Sequence, residues 1–280
     1  MTEVPIVVRN LRFAIDDEIP RNWMGQPPAV TLFLDHLSMV FPPGERFFIA
    51  SVRAFEKRVT DPKLREDIRR FNQQEALHGR EHVRFNDVLK AHGHPVDAIE
   101  RSAKRILGVG KLLLPKRIQL SITCALEHYT AMLAQILLDD DSILKDAHPT
   151  MSAMWRWHAA EENEHASVAF DVFHATGGNY AQRVIGMLLA TVFFWAKMFE
   201  HQVRMMYAAK LLWSPRAWAG LWPMFFGTPG LAFKLWRPYL AYFKPSFHPR
   251  ELDCTHLLER WKSDFETQPE YVQSLVTKAA

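Results

Sequence analysis

Along most of this chain, apolar residues recur three and four positions apart and nowhere alternate over a useful length, so the pattern predicts helices and no sheet. Residues 1–28 read as an irregular, partly charged arm ending in Gly25-Gln26-Pro27-Pro28. A short helix is expected over 29–41 and a break at Pro42-Pro43-Gly44. The next helix should run from about 43 to 59, with Phe48, Val52 and Phe55 as its apolar stripe. Asp61-Pro62 supplies an N-cap and a first-turn proline for a helix over about 62–92, stopped by Gly93. Residues 94–114 form a partly helical crossover. Pro115 then opens a helix to about 138, and Pro149 another to about 175, closed by Gly177-Gly178. Further helices are expected over about 179–212 and after 228, with helical turns at Asp253–Trp261 and Glu270–Thr277.

These elements predict an all-α fold: a four-helix bundle whose two hairpins are joined by a long crossover, with additional C-terminal helices. The expected organisation is an N-terminal arm and short helix over 1–42, the bundle over 43–178, and an apolar, aromatic helical extension over 179–280.

Composition narrows the picture. Hydrophobic residues make up 48% and charged residues 23%, and a net charge of +3 is too small to imply nucleic acid. Cys124 and Cys254 give no disulfide framework, and the N-terminus lacks a basic stretch followed by an apolar core, so a cytoplasmic location is expected. Val184–Ala196 and Ala217–Trp236 are strongly apolar. Neither is clean enough to span a bilayer, because the first soon meets Lys197, Glu200 and His201 and the second is broken by Pro223 and Pro229. Peripheral membrane contact fits both runs.

The candidate chemistry lies in two copies of Glu-x-x-His, Glu75–His78 and Glu162–His165, each on a helix that follows another offering one acid, Glu45 or Glu127. A single copy is weak, since residues this common meet by chance. Spacing strengthens the pair. Glu45 lies about 16 residues before the Thr60–Pro62 stop and Glu75 about 14 after it, two nearly equal climbs at 1.5 Å per residue. Glu127 and Glu162 stand about 12 and 13 residues from their own turn, so they are level as well. Residues three or four apart share a helix face, which adds His158 to Glu162 and His82 to His78.

The bland readings differ by residue. A structural ion pair could account for Glu45 alone, but it explains four level acids on apolar faces poorly. His158 stands between Trp155 and Trp157 and could be a core histidine; its spacing to Glu162 favours a ligand. His82 either ligates or orients a ligand. Glu161 competes with Glu162, which is preferred because its spacing to His165 repeats that of Glu75 to His78. Glu81 and Glu164 read as outward or supporting charges. Thr123, Cys124 and Thr130, a turn either side of Glu127, are packing residues unless they line an oxygen-binding pocket. The ligand set expected from the residues is Glu45, Glu75, His78, Glu127, His158, Glu162 and His165, and its oxygen and imidazole donors suit iron or manganese.

Over about 43–176 the chain resembles the ferritin-like di-iron carboxylate superfamily, through Glu45, Glu75, His78, Glu127, Glu162 and His165. With His158, the pattern His-x-x-x-Glu-x-x-His looks like the seven-ligand centre of the di-iron arylamine N-oxygenases. Over nearly its whole length, including Gln74–His82 and Lys244-Pro245-Ser246-Phe247-His248-Pro249, the chain is similar to a bacterial family catalogued as predicted metal-dependent hydrolases. The resemblance implies a ferritin-like bundle with two metal ions, iron first and manganese or a mixed manganese/iron pair otherwise. It also implies dioxygen and a small organic substrate as partners. The Trp, Phe and Met content of the C-terminal region suggests that this substrate is lipid-like, and a homodimer is an expected assembly. Oxidation of that substrate is the leading expectation; hydrolysis by water activated on the metals is the alternative, and ferroxidase or iron binding a second one.

Overall fold

The computed structural model describes residues 4–227, 230–267 and 275–276. The protein is all-α. Its helices are α1 (Pro28–Glu56), α2 (Pro62–Ala91), α3 (Val96–Leu113), α4 (Lys116–Asp139), α5 (Pro149–His165), α6 (Val168–Ala175), α7 (Tyr180–Ala208), α8 (Pro215–Ala219), α9 (Trp222–Phe226), α10 (Leu231–Ala241) and α11 (Thr255–Thr267). The only β contact among the described residues is an isolated bridge between Phe13 and Val276. Apart from Leu275 and Val276, the turn expected at Glu270–Thr277 lies outside the described residues.

Two boundaries differ from expectation. Pro42 and Pro43 do not break the first helix, since α1 runs through both for 29 residues. A proline at 42 cannot donate to the carbonyl four residues earlier. That carbonyl, of Ser38, is taken instead by Asn86 Nδ2 of α2 at 3.4 Å, and Pro42 and Pro43 are both buried. Packing against α2 thus supplies what the helix lacks, and the expected boundary at residue 42 falls inside α1. The fourth helix, by contrast, is interrupted after His165. Ala166 and Ser167 keep right-handed dihedrals, and the ladder resumes when Asp171 N–H donates to Ser167 O at 2.8 Å. The interruption is a local slip of the hydrogen-bond ladder rather than a turn.

α1 packs on α2 and α4 on α5, while α3 crosses between the hairpins against α1 and α7 lies along α4 and α1. The arm before α1 is irregular yet far from loose, because Phe13, Ile19, Trp23 and Met24 are buried in a core shared with α1, α2 and α5. The Lys244–Pro249 segment closes over α7. Buried Arg183 donates to Lys244 O and Phe247 O at 2.5 and 3.3 Å, and His248 Nε2 lies 2.8 Å from Asp171 Oδ1.

One core carboxyl carries a stability cost. Trp23 Nε1 donates to Asp35 Oδ1 at 2.8 Å, but Oδ2 has no hydrogen-bond partner among the described residues. Burial pushes Asp35 up to about 8, with the Trp23 bond only partly opposing it. A carboxyl raised in the fold holds its proton more tightly than in the unfolded chain, so its contribution is full below the ordinary range and is lost as pH rises towards the folded value. Asp35→Asn, which keeps the acceptor, is therefore expected to raise the melting temperature near pH 8 and to change it little near pH 4. Equal shifts in melts at both pH values would contradict this account.

Candidate metal centre

Four helices bring the acids and imidazoles together: Glu45 from α1, Glu75 and His78 from α2, Glu127 from α4, and His158, Glu162 and His165 from α5. All seven are buried, at most 4% exposed. Donor atoms gather within 4.8 Å of one another in overlapping sets: Glu45, Glu75 and His78; Glu75, Glu162 and His165; His78, His158 and Glu162; Glu45, His82 and His158. Glu127 joins through His165, whose Nε2 lies 3.4 Å from Glu127 Oε2 and 3.1 Å from Glu75 Oε1.

The orphaned atoms test whether this cluster suits a cation. Both carboxylate oxygens of Glu45, Glu75 and Glu127, together with Glu162 Oε2, His78 Nδ1 and His165 Nε2, are buried without a hydrogen-bond partner among the described residues. Buried polar atoms in a settled protein are normally satisfied, and several carboxylate oxygens gathered without hydrogen bonds around buried imidazoles are arranged for positive charge. Burial first, and neighbouring Glu75 second, push Glu45 and Glu127 well above the carboxylate range. Burial opposes charge on His78, yet Glu161 and Glu162 lift it to about 10. His158 falls to about 4 through burial and the neighbouring His78. The donor set fits metal ions.

Hydrogen bonds behind the donors fix their orientation. His165 Nδ1 lies 2.9 Å from Gln74 Oε1, so the ring donates outward and turns Nε2 inward. Gln74 Nε2 in turn donates to Glu164 Oε2 at 3.1 Å. His78 Nε2 lies 3.1 Å from Glu161 Oε2, and Trp157 Nε1 donates to Glu161 Oε1 at 2.9 Å. Glu161 thus stands behind His78, while Glu162 is 3.0 Å from His158 Nε2 and 3.5 Å from His78 Nδ1. His82 Nε2 is 2.6 Å from His158 Nδ1, its Nδ1 is 2.8 Å from Ser38 Oγ, and Ser38 donates to Asn86 Oδ1 at 2.9 Å. A single donor direction, from His158 through His82 and Ser38 to Asn86, satisfies this chain and leaves His158 Nε2 free for a ligand.

The arm completes the support. Arg9 bonds both Glu161 and Glu164, at 3.3 and 2.8 Å, and the backbone N–H groups of Val7, Arg9 and Phe13 donate to Glu164, Glu161 and Glu81. Glu81 and Glu164 are accordingly not outward charges; both are buried and hold the arm. Sequence reasoning gave no role to Arg9, Gln74, Ser38 or Asn86. Gln74 adjoins a ligand motif and could have been singled out, whereas Arg9 lies in an unpatterned segment and carried no signal.

Of the three residues considered for an oxygen-binding pocket, Thr130 lines an apolar cavity, its hydroxyl donating to Glu127 O at 3.0 Å. Thr123 engages Ser51 Oγ at 2.7 Å, and Cys124 packs in the core with its thiol pushed well up by burial.

An all-α protein with a buried carboxylate–imidazole cluster fitted to cations is a metal-binding protein. The chain belongs to the family described as predicted metal-dependent hydrolases, whose model matches residues 7–253, and it is therefore a metal-dependent enzyme. No curated protein and no solved structure matches it.

Proposed function

We propose that this protein is a ferritin-like, dinuclear-metal enzyme, with iron as the preferred metal, that uses dioxygen to oxidise an apolar organic substrate. The observation that carries the reading is the convergence of four buried acids and three imidazoles beside a cavity lined almost wholly by apolar side chains that reaches His158 and Glu162. Glu45, Glu75, His78 and His158 would hold one ion, and Glu127, Glu162 and His165 the other, with Glu75 and Glu162 close enough to both groups to be shared. Bound iron supplies the redox equivalents for reducing dioxygen, and manganese could replace one or both ions. Around it Glu161 and Gln74 hold His78 and His165 in one tautomer, and Phe41, Trp155 and Phe194 keep water from the substrate side.

Residues 43–178 carry the chemistry in this reading, and 179–280 cover it and face a membrane surface peripherally. Contrary to the expectation for the Val184–Ala196 run, α7 is by length and composition apolar enough to cross a bilayer, yet Arg183, His201 and Gln202 lie on its buried side against the protein. Its other side, with Val192 and Phe199 exposed, suits an interface, as do Leu112 and Leu113 of α3.

Hydrolysis is the second reading, favoured by the description of the family. The two part on oxygen. Protein stripped with chelator and reloaded anaerobically with ferrous ion is expected to take up dioxygen and develop a transient visible absorbance. Ester or amide turnover by the zinc-loaded protein, independent of oxygen and with no uptake by the ferrous form, would replace oxidation by hydrolysis.

A further inference from the structure

Between α1, α3, α4 and α7 lies a cavity of about 370 Å³, within the roughly 300–1,000 Å³ of small-molecule sites. Its walls come from Phe47 and Phe48 of α1, Ile106 and Gly110 of α3, Leu126 of α4 and Phe193 of α7, among others. Among the described residues, Thr130, Lys197 and His201 are the only polar side chains in the lining. Val109, Leu113 and Phe193 line it and are themselves exposed, so it opens to the surface between α3 and α7. At its inner side Leu37, Phe41, Thr130 and Phe194 also wall a second space of about 120 Å³, which touches His158 and Glu162. The two spaces lie on either side of these shared side chains, and the inner one borders the metal cluster.

The polar end is equally specific. His201 is fully buried, and neither ring nitrogen has a hydrogen-bond partner among the described residues. Lys197, one turn earlier on α7, reaches Ser102 Oγ at 3.1 Å and Glu200 Oε2 at 2.6 Å. Glu200 is shared with Arg204 at 2.8 Å, so two cations face one acid and a positive charge is left over. An otherwise apolar cavity with one unsatisfied imidazole and a neighbouring excess cation is shaped for a molecule apolar along its length and acidic at one end.

We propose that this cavity binds a single-chain amphiphile with a carboxylate head, a long-chain fatty acid. The apolar chain occupies the space between α3 and α7 and reaches towards the metal cluster, while Lys197 and His201 receive the head group. The inference rests on the oxidative reading in naming its substrate class, but binding does not require turnover.

The test is displacement of a fluorescent fatty acid from the full-length protein by palmitate, by hexadecanol, and by palmitate presented in phosphatidylcholine vesicles. Palmitate is expected to bind once per chain. Gly110→Phe, whose added Cβ meets only Leu114 Cδ1, at 3.9 Å, fills free space and should weaken both ligands by about tenfold or more. Lys197→Met should weaken palmitate and spare hexadecanol. Ile106→Trp serves as a second cavity-filling variant, with circular dichroism and metal content checking that each variant folds. Tighter capture from vesicles than from solution assigns a membrane source, and the reverse a soluble one; either supports the site. Absence of palmitate binding, or equal affinity in folded Gly110→Phe, Ile106→Trp and wild-type protein, overturns it. Palmitate binding without oxygen uptake by the ferrous protein would sink the oxidative reading and leave the acyl site standing.

Discussion

Glu127→Leu is expected to abolish metal binding and, at the same time, to make the metal-free protein more stable. Glu127 sits 1% exposed on α4 with neither oxygen hydrogen-bonded among the described residues, and burial and Glu75 push it well above the carboxylate range. An unsatisfied buried polar group costs about 1–3 kcal/mol, so a leucine of similar size relieves the fold of that amount in the absence of metal. The metal-bound state moves the other way. Ions held at a thousand times their dissociation constant stabilise a native state by about 4 kcal/mol, which the variant forfeits with its ligand. The pH dependence follows the same logic. The raised values of Glu45 and Glu127 and the lift of His78 to about 10 each give stability that is full at low pH and falls as pH rises through the folded value. Glu162, held well below its ordinary range by His165 and His158 against the opposing effect of burial, acts in reverse and loses its contribution only in acid. Metal-free wild-type protein should therefore melt progressively lower above neutrality, and Glu127→Leu should flatten that slope. Elemental analysis with melts of stripped and reloaded protein measures both effects; a variant that keeps full metal and melts lower would refute the assignment of Glu127.

Gly79→Ala should damage the site without damaging the fold. In an ordinary helix interior this exchange stabilises by roughly 0.5–1 kcal/mol, because glycine loses more backbone entropy. At position 79 of α2, however, a Cβ would stand 2.5 Å from Glu45 Oε2, too close for either to stay. The atom that yields is the end of a flexible side chain, so helix packing survives and Glu45 swings out of the cluster. Metal affinity is expected to fall by about 10–100-fold, the range seen when the supports of a metal ligand are disturbed, with an unchanged or slightly higher melting temperature for the metal-free protein. Gly108→Ala is the control. A Cβ there meets nothing within 4 Å, so it should bring the helical gain alone. If both variants titrate iron like the wild type, Gly79 has no part in seating Glu45.

Much of the centre was written in local pattern. The spacing of Glu75 to His78 and of Glu162 to His165 follows from the helical period, and equal climbs on either side of a turn place Glu45 and Glu127 beside them. Those relations survive in the structure because rise per residue is a property of the backbone, indifferent to what surrounds it. The proline pair misled for the opposite reason. Pro42 and Pro43 weaken an isolated helix, but a carbonyl acceptor left open on α1 meets an amide of α2, a residue 48 positions along the chain. The arm is similar: Val7, Arg9 and Phe13 have no periodicity to reveal that buried Glu164, Glu161 and Glu81 await their N–H groups.

By itself, then, the sequence determined which donor atoms are available, that they ride on helices and that they lie level along them, since residue type and helical period are local. Tertiary structure alone decided how each helix is turned about its axis, and with that the placing of Glu161 behind His78 and of His82 behind His158. It also decided that space remains beside Thr130 for a ligand. Rotation, hydrogen-bond choice and empty volume all depend on distant segments packing against one another, and no window along a single chain contains both sides of such a contact.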